Sequence, residues 1–129
     1  MSQIKILVVD DFSDNRVMIS LMLKQFGALV EVAENGKAGV EKALNEEFDI
    51  ILMDLEMPVM DGCEATKQLR LDGYTKPIVA ISANHDKLNK QTLSSGFNAA
   101  IARPFGCEEI RANLALLCDR SSAMRSAFH

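Results

Sequence analysis

Short apolar runs without alternation separate longer stretches in which apolar residues recur every three or four positions. The runs over 4–9 (Ile-Lys-Ile-Leu-Val-Val) and 50–53 (Ile-Ile-Leu-Met) read as strands covered on both faces, as in a parallel sheet. Residues 29–33 alternate more and predict a strand with one wetter face, at a sheet edge. Runs over 76–81 and 97–102 complete five strands. Helical spacing fills the intervals. The first helix is expected over about 15–26, stopped by Gly27, capped by Ser13 or Asp14, with Met18, Ile19, Met22, Leu23 and Phe26 toward the core. Val17 and Leu21 fall on its other flank. There they read either as scattered surface apolars or as a docking face for a partner helix. After the Asn35-Gly36 turn a second helix, 37–44, buries Val40, Ala43 and Leu44. A third follows Gly62, burying Ala65, Leu69 and Leu71 and ending at Asp72-Gly73. A polar fourth helix over about 85–95 has Leu88 and Leu93 as its large apolar residues. The last, over about 108–117, packs Ile110, Leu114 and Leu117.

Strands alternating with helices imply right-handed crossovers, a parallel sheet and helices on both faces. The fold class is therefore α/β, a (βα)5 flavodoxin-like doubly wound sheet of strand order 2-1-3-4-5, with its switch point between the first and third strands. Residues 1–118 form one domain; 119–129 lack a pattern and read as a C-terminal tail or the start of a linker.

Composition narrows the partners. The chain has 129 residues, 48% apolar and 25% charged, an ordinary soluble balance for a single core. A net charge of -4 argues against direct nucleic-acid binding or a membrane-surface footprint. Three cysteines, odd in number and without metal-ligand spacing, read as reduced thiols in a cytoplasmic setting. No run approaches the roughly 20 apolar residues of a membrane span, and the start leads straight into a strand, so neither membrane insertion nor a signal segment is expected.

The chemistry sits at the strand ends. Asp10 and Asp11 follow the first strand and Asp54 ends the third, so the 2-1-3-4-5 order brings three carboxylates together. Helix capping explains one of these acids, not three. Clustered and unpaired they repel, and one protonates; Mg²⁺, which takes oxygen ligands, relieves this. Ser82 and Arg103, at the ends of the fourth and fifth strands, suit a phosphoryl group, and an ionised Asp54 is a competent nucleophile on phosphorus.

Four pieces of sequence now stand together: Val8-Val9-Asp10-Asp11, the segment from Met53-Asp54-Leu55-Glu56-Met57-Pro58 to Val59-Met60-Asp61-Gly62, the strand ending in Ser82-Ala83, and Pro104-Phe105. With them the chain resembles, from Ile4 to about Leu117, the receiver domain of two-component response regulators. The Met-Asp-x-x-Met-Pro-x-Met-Asp-Gly wording looks especially like receivers of hybrid histidine kinases and phosphorelays. The resemblance implies that Asp54 accepts a phosphoryl group from a phosphohistidine. It also implies that Asp10, Asp11, Asp54 and the backbone carbonyl of Glu56 hold Mg²⁺, and that Ser82 contacts the acyl phosphate. A histidine kinase or histidine phosphotransfer domain would dock near the first helix, at Val17 and Leu21. A surface of the fourth and fifth helices offers a route to a homodimer. Such a domain assists its own phosphorylation and dephosphorylation and is not an enzyme with an outside substrate.

Two positions depart from the family pattern. Arg103 stands where the family usually carries Lys, and Ala100 where its aromatic switch residue lies. Arginine is cationic but planar and forked, so phosphorylation is expected to survive with altered signalling geometry. Ala100 has no ring to swing toward Ser82. Glu56 and Asn84 occupy positions that resemble the family's tuners of phosphoryl lifetime. The main rival reading is a pseudo-receiver, a binding module independent of phosphate. A haloacid-dehalogenase-like phosphotransferase would want Asp-x-Asp after the first strand, where Phe12 follows Asp10-Asp11. A small flavin-binding protein would want a hydroxyl-rich loop there.

Overall fold

The structure is a computed structural model that describes residues 4–83, 94–103 and 105–118. Five strands, β1 (Lys5–Val9), β2 (Leu29–Ala33), β3 (Ile50–Asp54), β4 (Ile78–Ser82) and β5 (Ala99–Ala102), form one sheet in the order β2-β1-β3-β4-β5. Every neighbouring pair is parallel. Four helices are described: α1 (Ser13–Lys24), α2 (Gly36–Asn45), α3 (Gly62–Leu71) and α4 (Cys107–Cys118). The expected polar helix over 85–95, Asn84, Pro104 and the 119–129 segment lie largely or wholly outside the described residues.

The unbroken apolar runs are explained by two separate cores. Ile6, Val8, Ile50, Leu52, Val79 and Ile81 face one layer, with Ile19 and Leu23 of α1 and Ile110 and Leu114 of α4. The alternate residues Leu7, Val9, Ile51, Met53, Ile78 and Ala80 face the other, with Val40 and Ala43 of α2 and Ala65 and Leu69 of α3. Successive strand side chains point to opposite faces, so a strand covered on both sides is apolar at every position. Edge strand β2, covered on fewer sides, exposes Leu29 and Val32.

Helix phase corrects three expected core positions. Each helical residue turns by about 100°. Met18 lies that far from buried Ile19, and it is exposed; Leu44 lies that far from buried Ala43 and is exposed too. Leu71 stands on the opposite side from Leu69 and is 83% exposed. The α1 cap also differs. Phe12 is the N-cap residue, without a side-chain hydrogen bond, and Asp14 sits in the first turn. The Phe12 N–H donates instead to Asp10 Oδ1 at 2.9 Å. By contrast Asn35 caps α2, its side chain accepting from the Ala38 N–H at 2.8 Å. Gly27 ends the α1 region at φ +83°, a conformation glycine adopts without a Cβ penalty.

Candidate functional site

The register decides which acids meet. Val9 pairs with Met53, so the residues one step on, Asp10 and Asp54, stand side by side at the carboxyl edge of the sheet. The Asp10 N–H donates to the Ala33 carbonyl at 3.1 Å, and Arg16 Nη1 donates to the Asp10 carbonyl at 2.7 Å, holding the end of β1. Asp10 is 1% and Asp54 3% exposed, while Asp11 faces solvent. One carboxylate oxygen from each of Asp10, Asp11 and Asp54 lies within 4.8 Å of the others.

Glu56 and Arg103 close the pocket from two sides. The Glu56 N–H donates to Asp54 Oδ1 at 3.1 Å, and the Glu56 side chain accepts from Ser82 Oγ at 2.5 Å. Asp54 pairs with Ile81 in the ladder, which sets Ser82 one residue beyond it. The Arg103 N–H donates to the Ser82 carbonyl at 2.9 Å, so the turn after β5 is anchored at the same edge. From there Arg103 Nη2 forms an ion pair with Asp10 Oδ2, and Nη1 lies 3.9 Å from Asp54 Oδ1.

Burial pushes the Asp54 carboxyl up from 3.8 to about 6. The Glu56 N–H opposes this, the Asp10 carboxylate adds to it, Arg103 opposes it and Asp11 adds to it. A carboxyl half-neutral near pH 6, beside two more acids, is a site that gains from a cation. Three carboxylate oxygens, with no thiol or imidazole in the cluster among the described residues, are the donor set of a hard divalent ion such as Mg²⁺.

The backbone leaves little tolerance around Asp54. A Cβ on Gly62 would stand 2.3 Å from the Asp54 carbonyl oxygen, and one on Gly36 2.3 Å from that of Met60. Within the same β3–α3 loop Val59 takes φ +71° and is exposed. Ala100, in β5 opposite Ala80, packs against the α2–α3 core layer. Val17 and Leu21 are each 59% exposed and line a groove of about 360 Å³ with Arg16, Lys24, Val30 and Val32, between α1 and β2.

One anchor lay outside the sequence reading. Arg70, on α3, donates to the carbonyls of Gly96, Tyr74 and Lys76 and to Asn98 Oδ1, at 2.7–3.0 Å. It ties the end of α3 to the entry of β5. Periodicity marks it only as a polar helix position; its partners come from loops 4 to 28 residues away.

An open α/β sheet with an acidic pocket at its topological switch point defines a doubly wound class whose ligands bind beyond the strand ends. Comparison with known proteins makes this specific. The family profile described as response regulator receiver domain matches residues 6–115, and the chain belongs to that family. Hybrid signal transduction histidine kinase G of Dictyostelium discoideum is 39% identical over 116 residues, 84% of this chain and 3% of that protein. Response regulator ArlR of Staphylococcus saprophyticus is 36% identical over 117 residues, 90% of this chain and 53% of its own length. The chain thus spans about half the length of one relative and a small part of the other. Among solved structures, the receiver domain of a Pseudomonas aeruginosa sensor histidine kinase, with a magnesium ion coordinated in its active site cleft, has a TM-score of 0.83. It is 33% identical, and the match covers 92% of this chain and 99% of that one. The chain is a receiver domain of two-component signalling, resembling those of hybrid kinases. No helix among the described residues is long and apolar enough to cross a membrane.

Proposed function

We propose that this domain takes a phosphoryl group from a phosphohistidine onto Asp54, in a Mg²⁺-dependent reaction. The observation that carries this reading is the cluster of Asp10, Asp11 and Asp54 at the switch point. Asp10, Asp11, Asp54 and the Glu56 carbonyl are the residues assigned to the metal, which when bound supplies charge neutralisation for the carboxylates and phosphoryl oxygens. An ionised Asp54 oxygen attacks phosphorus, the phosphorus–nitrogen bond breaks, and the imidazole leaves with the bonding pair. The Asp54 oxygen facing the Glu56 N–H stays held, which orients the carboxylate for attack. Ser82 and Arg103 are assigned to phosphoryl oxygens, as donor and counter-charge.

The donor, a histidine kinase or phosphotransfer domain, is assigned to the groove along Val17 and Leu21. Its apolar wall and its Arg16 and Lys24 rim suit an amphipathic helix. A homodimer and a cytoplasmic setting remain parts of the same reading. The pairing of Arg103 with Asp10 favours a second reading, a pseudo-receiver whose acids are already neutralised internally.

Intact mass after incubation with acetyl phosphate and Mg²⁺ separates the two. The proposal expects a Mg²⁺-dependent phosphoryl adduct that Asp54→Asn abolishes. If acetyl phosphate and a phosphohistidine donor both leave the mass unchanged, the pseudo-receiver reading takes its place.

A further inference from the structure

We infer that Arg103 is an internal competitor of the divalent cation: its guanidinium holds Asp10 in the resting domain, and the metal must displace it. The inference rests on the reading of Asp10, Asp11 and Asp54 as metal ligands.

The geometry is that of a fork laid across two carboxylates. Nη2 takes Asp10 Oδ2, and Nη1 of the same planar group lies 3.9 Å from Asp54 Oδ1. Both acids are buried, and Arg103 itself is only 18% exposed. A single ammonium would have to reach both carboxylates from one nitrogen; a guanidinium places two nitrogens at fixed spacing, one toward each acid. The residue thus uses the feature that separates Arg from Lys to neutralise a second acid, and that acid is an assigned metal ligand.

A second observation marks this pose as a resting one. Arg103 Nε is buried and has no hydrogen-bond partner among the described residues. An unpaired buried N–H is costly, so the ion pair holds the guanidinium where its full set of donors is unmet. Displaced from Asp10, the fork is released for an incoming oxyanion such as a phosphoryl group, where more of its donors are used.

Two cations that share one carboxylate are coupled with a negative sign, and the coupling is reciprocal. Arg103 weakens metal binding, and metal binding loosens Arg103. The affinity for Mg²⁺ is measured at fixed pH and ionic strength by titration calorimetry on the wild-type chain, Arg103→Lys and Arg103→Gln. Arg103→Lys keeps the charge and removes the fork. Roughly fivefold or greater tightening in Arg103→Lys is expected, at the low end of usual coupling, and Arg103→Gln tightens at least as much. Circular dichroism checks that both variants are folded. A second readout, the nitrogen-15-resolved Arg103 side-chain resonances of the wild type, shifts as Mg²⁺ is added.

Equal affinity in wild type and Arg103→Lys, with Arg103→Gln alone tighter, overturns the inference: a diffuse charge effect then suffices. Mg²⁺ binding in none of the three overturns the metal site itself, and with it the phosphoacceptor reading. If Arg103→Lys fails to fold, the wild-type Arg103 side-chain resonances decide: no shift on saturation with Mg²⁺ overturns the inference.

Discussion

The Ser82 hydroxyl donates to the Glu56 carboxylate at 2.5 Å, and the Glu56 N–H donates to Asp54, so one residue bridges Asp54 and the hydroxyl of Ser82. The carboxylate stands where the proposed function places a phosphoryl oxygen, and two anions repel there. Glu56→Ala removes that charge and leaves the backbone N–H in place. Adduct formation from acetyl phosphate is expected to quicken by about tenfold, some 1.4 kcal/mol, in a mass-spectrometric time course. An unchanged rate would show that Glu56 swings away without cost.

The raised Asp54 carboxyl has a sign that stability measurements can read. Its value is 3.8 in ordinary surroundings and about 6 in the fold, so between these pH values the folded chain binds the extra proton. Ionising Asp54 therefore costs stability as pH rises through that window, at most about 3 kcal/mol at neutral pH. With chelator present, Asp54→Asn should melt about 5 °C or more above wild type at pH 7.5. The gain should fade toward pH 4. A variant that is less stable throughout would contradict the burial cost.

With Asp54 in the proposed ligand set, metal affinity is expected to follow its ionised fraction. Mg²⁺ affinity of the wild type is expected to fall by about tenfold per pH unit once pH drops below about 6, as a proton competes for the ligand. Calorimetry from pH 7.5 to 5 would show it, and a flat profile would remove Asp54 from the ligand set.

Two glycines separate space from backbone conformation. Gly62→Ala drives a Cβ to 2.3 Å from the Asp54 carbonyl, and the expected loss is about 2 kcal/mol or more, with weakened Mg²⁺ binding. Gly73→Ala, at φ +94° in open space, should cost about 1 kcal/mol and leave Mg²⁺ binding unchanged. Urea melts with and without the metal compare them.

Arg70→Ala should cost about 3 kcal/mol, since it strips donors from three carbonyls and Asn98. Arg70→Lys keeps the charge but not the fork and should recover less than half of that loss. Urea midpoints read both.

Much of this was legible in order along the chain. Unbroken apolar runs marked strands covered on two faces, since a strand's alternation disappears when both sides are dry. Beta–alpha alternation, with the handedness of crossovers, led to the 2-1-3-4-5 order, and that order put Asp10 beside Asp54. The helix faces were legible only to within a turn. Met18, Leu44 and Leu71 were expected inside and lie outside, because an apolar residue near a buried stripe does not reveal the angle at which the helix meets the sheet.

By itself, then, the sequence determined the topology and the acids at its strand ends, because local periodicity and steric handedness act on neighbouring residues. Tertiary structure alone decided the pairings that bridge distant segments. These are the fork of Arg103 on an acid 93 residues away, the bond from Ser82 to Glu56, and the carbonyls gathered by Arg70. Long charged side chains reach several ångströms from their backbone, and which partner each meets depends on where the sheet has placed the other loops.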